Sequence, residues 1–369
     1  MAYPTLNTNK VFSSLYNMII SMQIFGTGIE NLSGIYSGRK VDGTLIGDTK
    51  LYVSSDVLKS YAWDGTDTPG AYNLLTVHRP PAPVQTAIVI DTYRQIPVTV
   101  DAYLTKQAFM DEGAFSQFNG VVLSWLSKTK EVYEHTKYTA DITITAQAEA
   151  TALGSAIVLY NTDLTGYDLL RWQGQELARK IEDRLMELSE PSRAYNDNSF
   201  LRTYSKEDFD IIVPIGVLSS IRKHDVPFLY NVDEKPIFKE IHWKYFGAKN
   251  AAAGTTLAAN TTVRALVEKD FGSTHCFPGD LLPNSTAYGA NETYTASYTT
   301  APSLGGNDVT ILLVHKQDFP IMSAFSVGTS FFNARRLDMN HYLTFGHNNV
   351  QNAHIGEYAL LKITTDVAA

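Results

Sequence analysis

Two stretches of the chain repeat their apolar residues with the period of an α-helix. In the first, apolar residues recur at spacings of three, four, three and seven, and acidic Asp111 and Glu112 lie where a helix begins; this predicts a helix over 112–137. In the second, a similar stripe predicts a helix over 167–189, which Pro191 ends. The stripe residues are Phe115, Phe118, Val122, Trp125 and Val132 in the first helix, and Leu170, Leu177, Ile181, Leu185 and Leu188 in the second.

Alternating segments and short apolar runs predict strands elsewhere. YTADITITA (138–146) alternates Ile with Thr and is predicted as a strand after the first helix. DFDIIVP (208–214) is typical of a buried strand, VLSSIRKH (217–224) of a short helix, and 247–308 of a β-rich surface insertion with long loops. The other predicted strands are LYV (51–53), AIVI (87–90), VTILLVH (309–315), FSVGTSFF (325–332), HYLTFGH (341–347) and EYALLKI (357–363).

The first hundred residues have little means of forming a core of their own. Residues 1–40 predict an arm with a polar tip, one amphipathic helix and a Gly-rich exit. Residues 41–105 show no helical period and carry breaker signals such as RPPAP at 79–83, which indicates an extended β-loop or hairpin. Such segments expose backbone polar groups and apolar patches. Because neighbouring copies can cover them by strand addition, this order of parts predicts an obligate assembly.

Composition narrows the function classes. The chain has 369 residues, enough for two or three units. Its net charge of -8 argues against a protein that binds nucleic acid mainly by electrostatic attraction, although not against one that encloses nucleic acid. The single cysteine, Cys276, excludes an intrachain disulfide and suits a reducing compartment. The uncharged stretch 11–29 is too polar to span a bilayer, so no membrane partner is expected.

Motifs for catalysis are nearly absent. The chain contains no Walker A motif and no GxSxG elbow. His341, His347 and His354 have no HExxH motif or carboxylate–histidine pair beside them, and packed or surface positions are expected. His275 and Cys276 are adjacent, so on an extended chain their side chains point to opposite faces. The sequence therefore predicts no catalytic, cofactor-binding or metal-binding residue, no cofactor, and a protein that is not an enzyme.

Other features of the sequence bear on contacts between copies. Aromatic residues make up 11% of the chain, and 21 of them are Tyr, a residue that is tolerated at partly solvent-exposed positions of a contact surface. Lys40, Lys50 and Lys59 lie in or beside the extended region. One interpretation is a covalent or electrostatic contact with a neighbouring subunit; the favoured one is charge that protects an exposed strand edge.

This order of parts resembles the major capsid proteins of tailed bacteriophages with the Hong Kong 97-type fold. AIVIDTYRQIPVTVDAYLTKQAFMDEGAFSQFNGVVLSWLSKTKEVYEH (87–135) looks like the returning strand of that family's extended loop, followed by the entry to its spine helix. YDLLRWQGQELARKIEDRLMELSEP and DFDIIVPIGVLSSIRK resemble the helix and strand that follow. MNHYLTFGHNNVQNAHIGEYALLKI is similar to the family's last strands, and the likeness is greatest to small short-tailed phages of Gram-positive hosts.

The resemblance implies an α+β fold with four parts. Residues 1–40 would be the N-terminal arm and 41–105 the extended β-loop. The peripheral domain, with its long spine helix, would be 106–205 and 336–369. The axial domain would be 206–335.

The resemblance also implies the function and partners. Copies would self-assemble as pentamers and hexamers into an icosahedral shell that encloses the phage dsDNA genome. The partners would be the chain itself, a separate scaffolding protein, a portal protein and, non-specifically, the packaged dsDNA. The protein would belong to the virion and be assembled in the host cytoplasm. The alternatives are an encapsulin-like compartment, a phage tail or adhesin component, and a carbohydrate-active enzyme, which would need a pocket holding two carboxylates.

Overall fold

The computed structural model describes residues 34–42, 47–60, 79–100, 112–217, 238–241, 263–264, 277–278 and 309–366. Three predictions lie wholly or mostly outside these residues: the amphipathic helix within 1–40, the short helix at 217–224, and the β-rich surface insertion at 247–308.

The described residues alternate between two long helices and a series of strands. The helices are α1 (Glu112–Glu149) and α2 (Gly166–Glu187). The strands are β1 (Lys40–Asp42), β2 (Thr49–Ser54), β3 (Val84–Val100), β4 (Thr151–Ala152), β5 (Ile157–Val158), β6 (Phe209–Pro214), β7 (Phe238–Ile241), β8 (Val263–Arg264), β9 (Phe277–Pro278), β10 (Thr310–His315), β11 (Ile321–Asn333), β12 (Asp338–Asn348) and β13 (Leu360–Asp366). Apart from the short β8–β9 pair, these strands form two sheets.

The first sheet, here called the ribbon sheet, has the order β1-β11-β12-β3-β2. Strands β2 and β3 form an antiparallel hairpin in which Leu51 lies opposite Ala87, so the strands predicted at 51–53 and 87–90 are confirmed. β3 is much longer than predicted because it continues as the partner of β12 up to Val100. Along β3, exposed residues alternate with covered ones, as expected for a sheet with one face against the body and one toward solvent.

The second sheet, here called the central sheet, has the order β4-β13-β10-β6-β7, with β5 also paired to β13. It is buried on both faces, because α1 covers one and α2 the other. Neighbouring residues of one strand consequently belong to different cores: Ile212 packs in the core with α1, and Ile211 in the core with α2. This two-sided burial explains the nearly continuous apolar runs of β6 and β10, and it confirms the strands predicted there.

The strand predicted for 138–146 is wrong, because these residues form the last turns of α1. At 38 residues, α1 is about 57 Å long, well beyond the predicted end at 137. Tyr138 and Ile142 are fully buried against the central sheet, and the hydroxyl of Thr143 donates to the carbonyl of Thr139 at 2.7 Å. Burial on almost every side removes the helical period from the sequence, and the Ile–Thr alternation that is left imitates a strand.

The predicted helix over 167–189 is confirmed as α2. Leu177, Ile181, Leu185 and Leu188 of its stripe are buried in the core beneath the central sheet. In α1 the stripe residue Trp125 is only half-buried, and the buried side chains nearby are those of Leu126 and Tyr133.

Candidate assembly surface

The solvent face of the ribbon sheet is apolar near the hairpin. On β2, Leu51 and Val53 are each 60% exposed, and on β3 Val89 and Tyr93 are also exposed. We call these four side chains the outer patch. The opposite face is covered: Ile88 and Ile90 are buried, and Arg94 lies 5.9 Å over the ring of Tyr133 on α1. A sheet that is apolar on its solvent face as well indicates a surface that another molecule covers.

Three contacts hold Tyr93 in place in the outer patch. Its ring stacks on Phe325 at a centroid distance of 6.3 Å. The ring also lies across Gly346 of β12, where an added Cβ would come within 3.0 Å of it. Its hydroxyl donates to the carbonyl of Ile90 at 3.0 Å. This part of the patch is therefore ordered before any partner binds.

Polar contacts tie the end of the hairpin to the body of the subunit. Asp56 pairs with Arg193 and accepts a hydrogen bond from the backbone N–H of Leu201 at 3.0 Å. Arg202 donates to the carbonyl of Ser55 at 2.7 Å. The hydrogen bond from Arg193 lowers the pKa of Asp56 to about 2. Because this pKa is depressed, the tie is complete above the ordinary value of 3.8 and is lost only as the pH falls through about 2.

Residues 34–39, which precede β1 and are here called the arm exit, are anchored in the body by Arg39, which is only 3% exposed. Its guanidinium pairs with Asp210 of β6 at 2.7 Å. It also donates to the carbonyls of Ile35, His315 and Asp318 at 3.2, 2.6 and 2.5 Å. Burial lowers the pKa of Arg39, and the charges of Asp210 and Asp318 act against that shift. The turn between β10 and β11 thus closes around Arg39, the residue immediately before β1.

Lys40, Lys50 and Lys59 do not come together. The ammonium of Lys40 lies 2.6 Å from a carboxylate oxygen of Glu134 on α1, so this lysine helps to fix the arm exit within its own chain. Lys50, on the edge strand β2, lies 5.7 Å from the centre of the Tyr52 ring. Lys59 is exposed. Protection of a strand edge by Lys50 and Lys59 stays a prediction.

The histidines of the C-terminal strands occupy separate environments. His347 is buried; its Nδ1–H donates to the carbonyl of Asn348 at 2.7 Å, so its Nε2 accepts from the hydroxyl of Tyr133 at 2.8 Å. Burial lowers the pKa of His347, which keeps the ring neutral. His341 is half-buried on β12, and the pair His275–Cys276 lies outside the described residues. Within the part of the chain that the structure describes, no group of three His, Cys, Asp or Glu side chains could hold a metal ion.

His354 joins two loops. Its Nδ1 lies 2.7 Å from Asp318 and its Nε2 3.1 Å from Asp197. The other carboxylate oxygen of Asp318 accepts from the backbone N–H groups of Phe319 and Ile355, at 2.9 Å each. Burial works to lower the pKa of His354, but the hydrogen bond and charge of Asp318, with the charges of Asp197 and Glu149, raise it overall. Protonated His354 therefore clamps the turn that encloses Arg39.

Raising the pH is expected to weaken this clamp. Because the pKa of His354 is raised in the folded chain, its stabilising contribution is complete below the ordinary value of 6.5 and is lost as the pH rises through the folded value. The thermal unfolding midpoint of the wild-type chain should therefore fall between about pH 6 and pH 8 by more than that of H354Q, since the other titrating groups are common to both. Parallel midpoints for the two proteins over this range would contradict the prediction.

A cavity of about 220 Å³ lies beside the arm exit. Its lining residues are Gly38, Arg39, Val41, Tyr52, Lys316, Gln317, Pro320 and Tyr358. None of them is a carboxylate, so this cavity lacks the acid pair that a carbohydrate-active hydrolase requires. Among the described helices, none is long and apolar enough to cross a membrane.

The fold has counterparts among solved structures. One chain of the capsid structure of Staphylococcus phage Andhra matches with a TM-score of 0.57 and 12% identity, over 100% of this chain and 89% of that one. A chain in the structure of the head fiber and inner core protein gp22 of native bacteriophage P68 matches with a TM-score of 0.57 and 11% identity, over the same shares of the two chains. The chain has a phage-capsid fold. No protein-family model and no curated protein sequence matches it.

The phage-capsid fold is mixed α+β, as the sequence predicts. The sequence predicts contacts between copies in residues 41–105, but it does not identify the four side chains of the outer patch. A usable signal was present: in TAIVIDTY (86–93), apolar residues occupy both of the alternating faces. Arg39 and Asp210 carried no comparable signal, since they are 171 positions apart.

Proposed function

We propose that this chain is the major capsid protein of a tailed bacteriophage, and that it self-assembles as pentamers and hexamers into an icosahedral shell around the dsDNA genome. The observation that carries the proposal is the match of fold over the whole chain to a chain of a phage capsid. The outer patch supports it, because an apolar sheet face suits a subunit whose surface is completed by other copies.

We further propose that the chain follows the Hong Kong 97-type plan. Residues 1–40 form the arm, 41–105 the extended loop, 106–205 with 336–369 the peripheral domain, and 206–335 the axial domain. α1 then serves as the spine helix. The central sheet crosses the last boundary, since β10 pairs with both β6 and β13, so the two domains share one sheet.

The proposed partners follow from this role. The subunit binds other copies of itself, a separate scaffolding protein and a portal protein. Contact with the packaged DNA is non-specific, and the net charge of -8 limits its strength. The protein is a virion component assembled in the host cytoplasm, and it performs no catalysis.

Electron microscopy of the purified protein in negative stain tests the proposal. The expected result is closed spherical particles, formed either directly or after addition of the scaffolding protein. Particles that enclose an enzyme instead of DNA in the native source would favour the encapsulin-like alternative. Trimers or tubes would indicate a tail or adhesin component. A compact monomer that never forms particles would contradict assembly altogether.

A further inference from the structure

The outer half of β11 is an open, apolar strand edge. Strand β1 pairs only with Ile321–Ser323, so among the described residues the segment 326–333 has a partner on one side alone, β12. Phe331 is 63% exposed and Phe332 is 49% exposed. Because adjacent residues of a strand point to opposite faces, the ribbon sheet presents one phenylalanine on each face here. Open apolar edges of this kind associate with other chains unless they are covered.

The turn that follows β11 is rigid. The backbone N–H groups of Arg336 and Leu337 both donate to the carbonyl of Asn333, at 3.2 and 2.8 Å, and the N–H of Arg335 donates to the side chain of Asn333 at 3.1 Å. Leu337 adopts a positive φ of 58°, which a leucine accepts only where the surrounding contacts require it. These hydrogen bonds fix the backbone that carries the side chains of the turn. We call Phe331, Phe332, Arg335, Arg336 and Leu337 the ribbon tip.

The ribbon tip is also positively charged. Arg335 and Arg336 are exposed, and neither forms an ion pair with any acidic side chain that the structure describes. The chain as a whole has 38 acidic and 30 basic residues. A second copy of this chain therefore offers the tip a surface whose overall charge is opposite to its own.

We propose that the ribbon tip binds between two neighbouring copies of this chain, with Phe331 and Phe332 each covered by a different copy and the two arginines paired with carboxylates. This inference rests on the proposed function and deepens it by assigning an interface. A partner with a single flat surface would cover one phenylalanine and leave the other in water. DNA would neutralise the arginines but would not bury the aromatic rings or the open strand edge.

Thiol labelling tests whether copies cover the tip. In a C276S background, which removes the only cysteine, T329C places a thiol on the same strand face as Phe331. The T329C thiol should react with a maleimide in dissociated subunits as fast as the thiol of M186C, a control on α2 that is 63% exposed in the wild type. In assembled particles the T329C thiol should react at least about tenfold more slowly. Protection already in dissociated subunits would show that the chain covers its own tip, and equal reactivity in both states would show that nothing covers it; either result overturns the proposal.

Charge reversal tests the arginines. R335E/R336E should raise the subunit concentration needed for particle formation by about tenfold or more, while R335K/R336K, which keeps the charge, should stay within about twofold of the wild type. Both variants should match the wild-type circular dichroism as dissociated subunits. Wild-type particles combined with normal assembly of R335E/R336E would overturn the role of the tip and leave the proposed function intact. A wild-type chain that forms no particles would overturn both.

Discussion

Replacing Arg39 by leucine is expected to lower the free energy of unfolding of the subunit by about 3–5 kcal/mol. The substitution leaves the carboxylate of Asp210 buried, with Lys239 at 2.9 Å as its remaining ion-pair partner. It also removes the donor from the carbonyls of His315 and Asp318, at the turn between β10 and β11, and from the carbonyl of Ile35. The expected cost combines the loss of one of the two cations beside a buried carboxylate with buried carbonyls that lose their hydrogen-bond donor. Urea unfolding of subunits purified before assembly measures the loss.

Two further variants separate charge from geometry. R39K keeps the positive charge, but a lysine lacks the planar guanidinium that contacts Asp210 and the carbonyls at the same time. R39K should therefore lose part of the unfolding free energy that Arg39 contributes. R39L/D210N removes both charges and should recover part of what R39L loses. If R39L unfolds within about 1 kcal/mol of the wild type, Arg39 is not the anchor of the arm exit.

The elements that the sequence predicts well are a helix that is buried on one side and short strands that are buried on both faces. α2 has one buried stripe and one wet face, so its period of 3.6 is visible in Leu177, Ile181 and Leu185. Strands β6 and β10 are short and buried on both faces, and they appear as continuous apolar runs. The end of α1 fits neither case. Residues 138–146 are a helix buried almost all round, so no period of 3.6 survives to distinguish them from a strand.

For the candidate assembly surface, the sequence predicts a region of the chain but not the individual residues, and the reason is physical. Composition and breaker signals are local properties, and they suffice to predict that the first hundred residues are extended and have little core of their own. Which face of β3 turns outward depends on its pairing with β12, and the paired residues lie 239 to 258 positions apart in the sequence. The anchor at Arg39 likewise depends on Asp210 and on the turn at 315–318, which come together only in the folded chain.

Replacing Leu51 and Val53 by serine is expected to prevent particle formation while leaving the subunit folded. Each side chain is 60% exposed in the single chain, so the unfolding free energy of the subunit should change by only about 0.5 kcal/mol per site. Full burial of a Leu or Val side chain is worth roughly 1.5–3 kcal/mol, so covering the exposed 60% of each would contribute about 1–2 kcal/mol to every contact. Since 1.4 kcal/mol corresponds to a tenfold change in an equilibrium constant, L51S/V53S should raise the critical subunit concentration by on the order of 100-fold.

Light scattering over a series of subunit concentrations measures this threshold, and circular dichroism checks that the variant is folded. M186S is the matched control, because Met186 is 63% exposed on α2 and lies outside the ribbon sheet. It should assemble at the wild-type threshold, which would show that the loss in L51S/V53S depends on position and not on apolar exposure in general. An unchanged threshold for L51S/V53S would mean that the outer patch stays in water in the shell. In that case, burial of the solvent face of the ribbon sheet would not be what drives assembly of this chain.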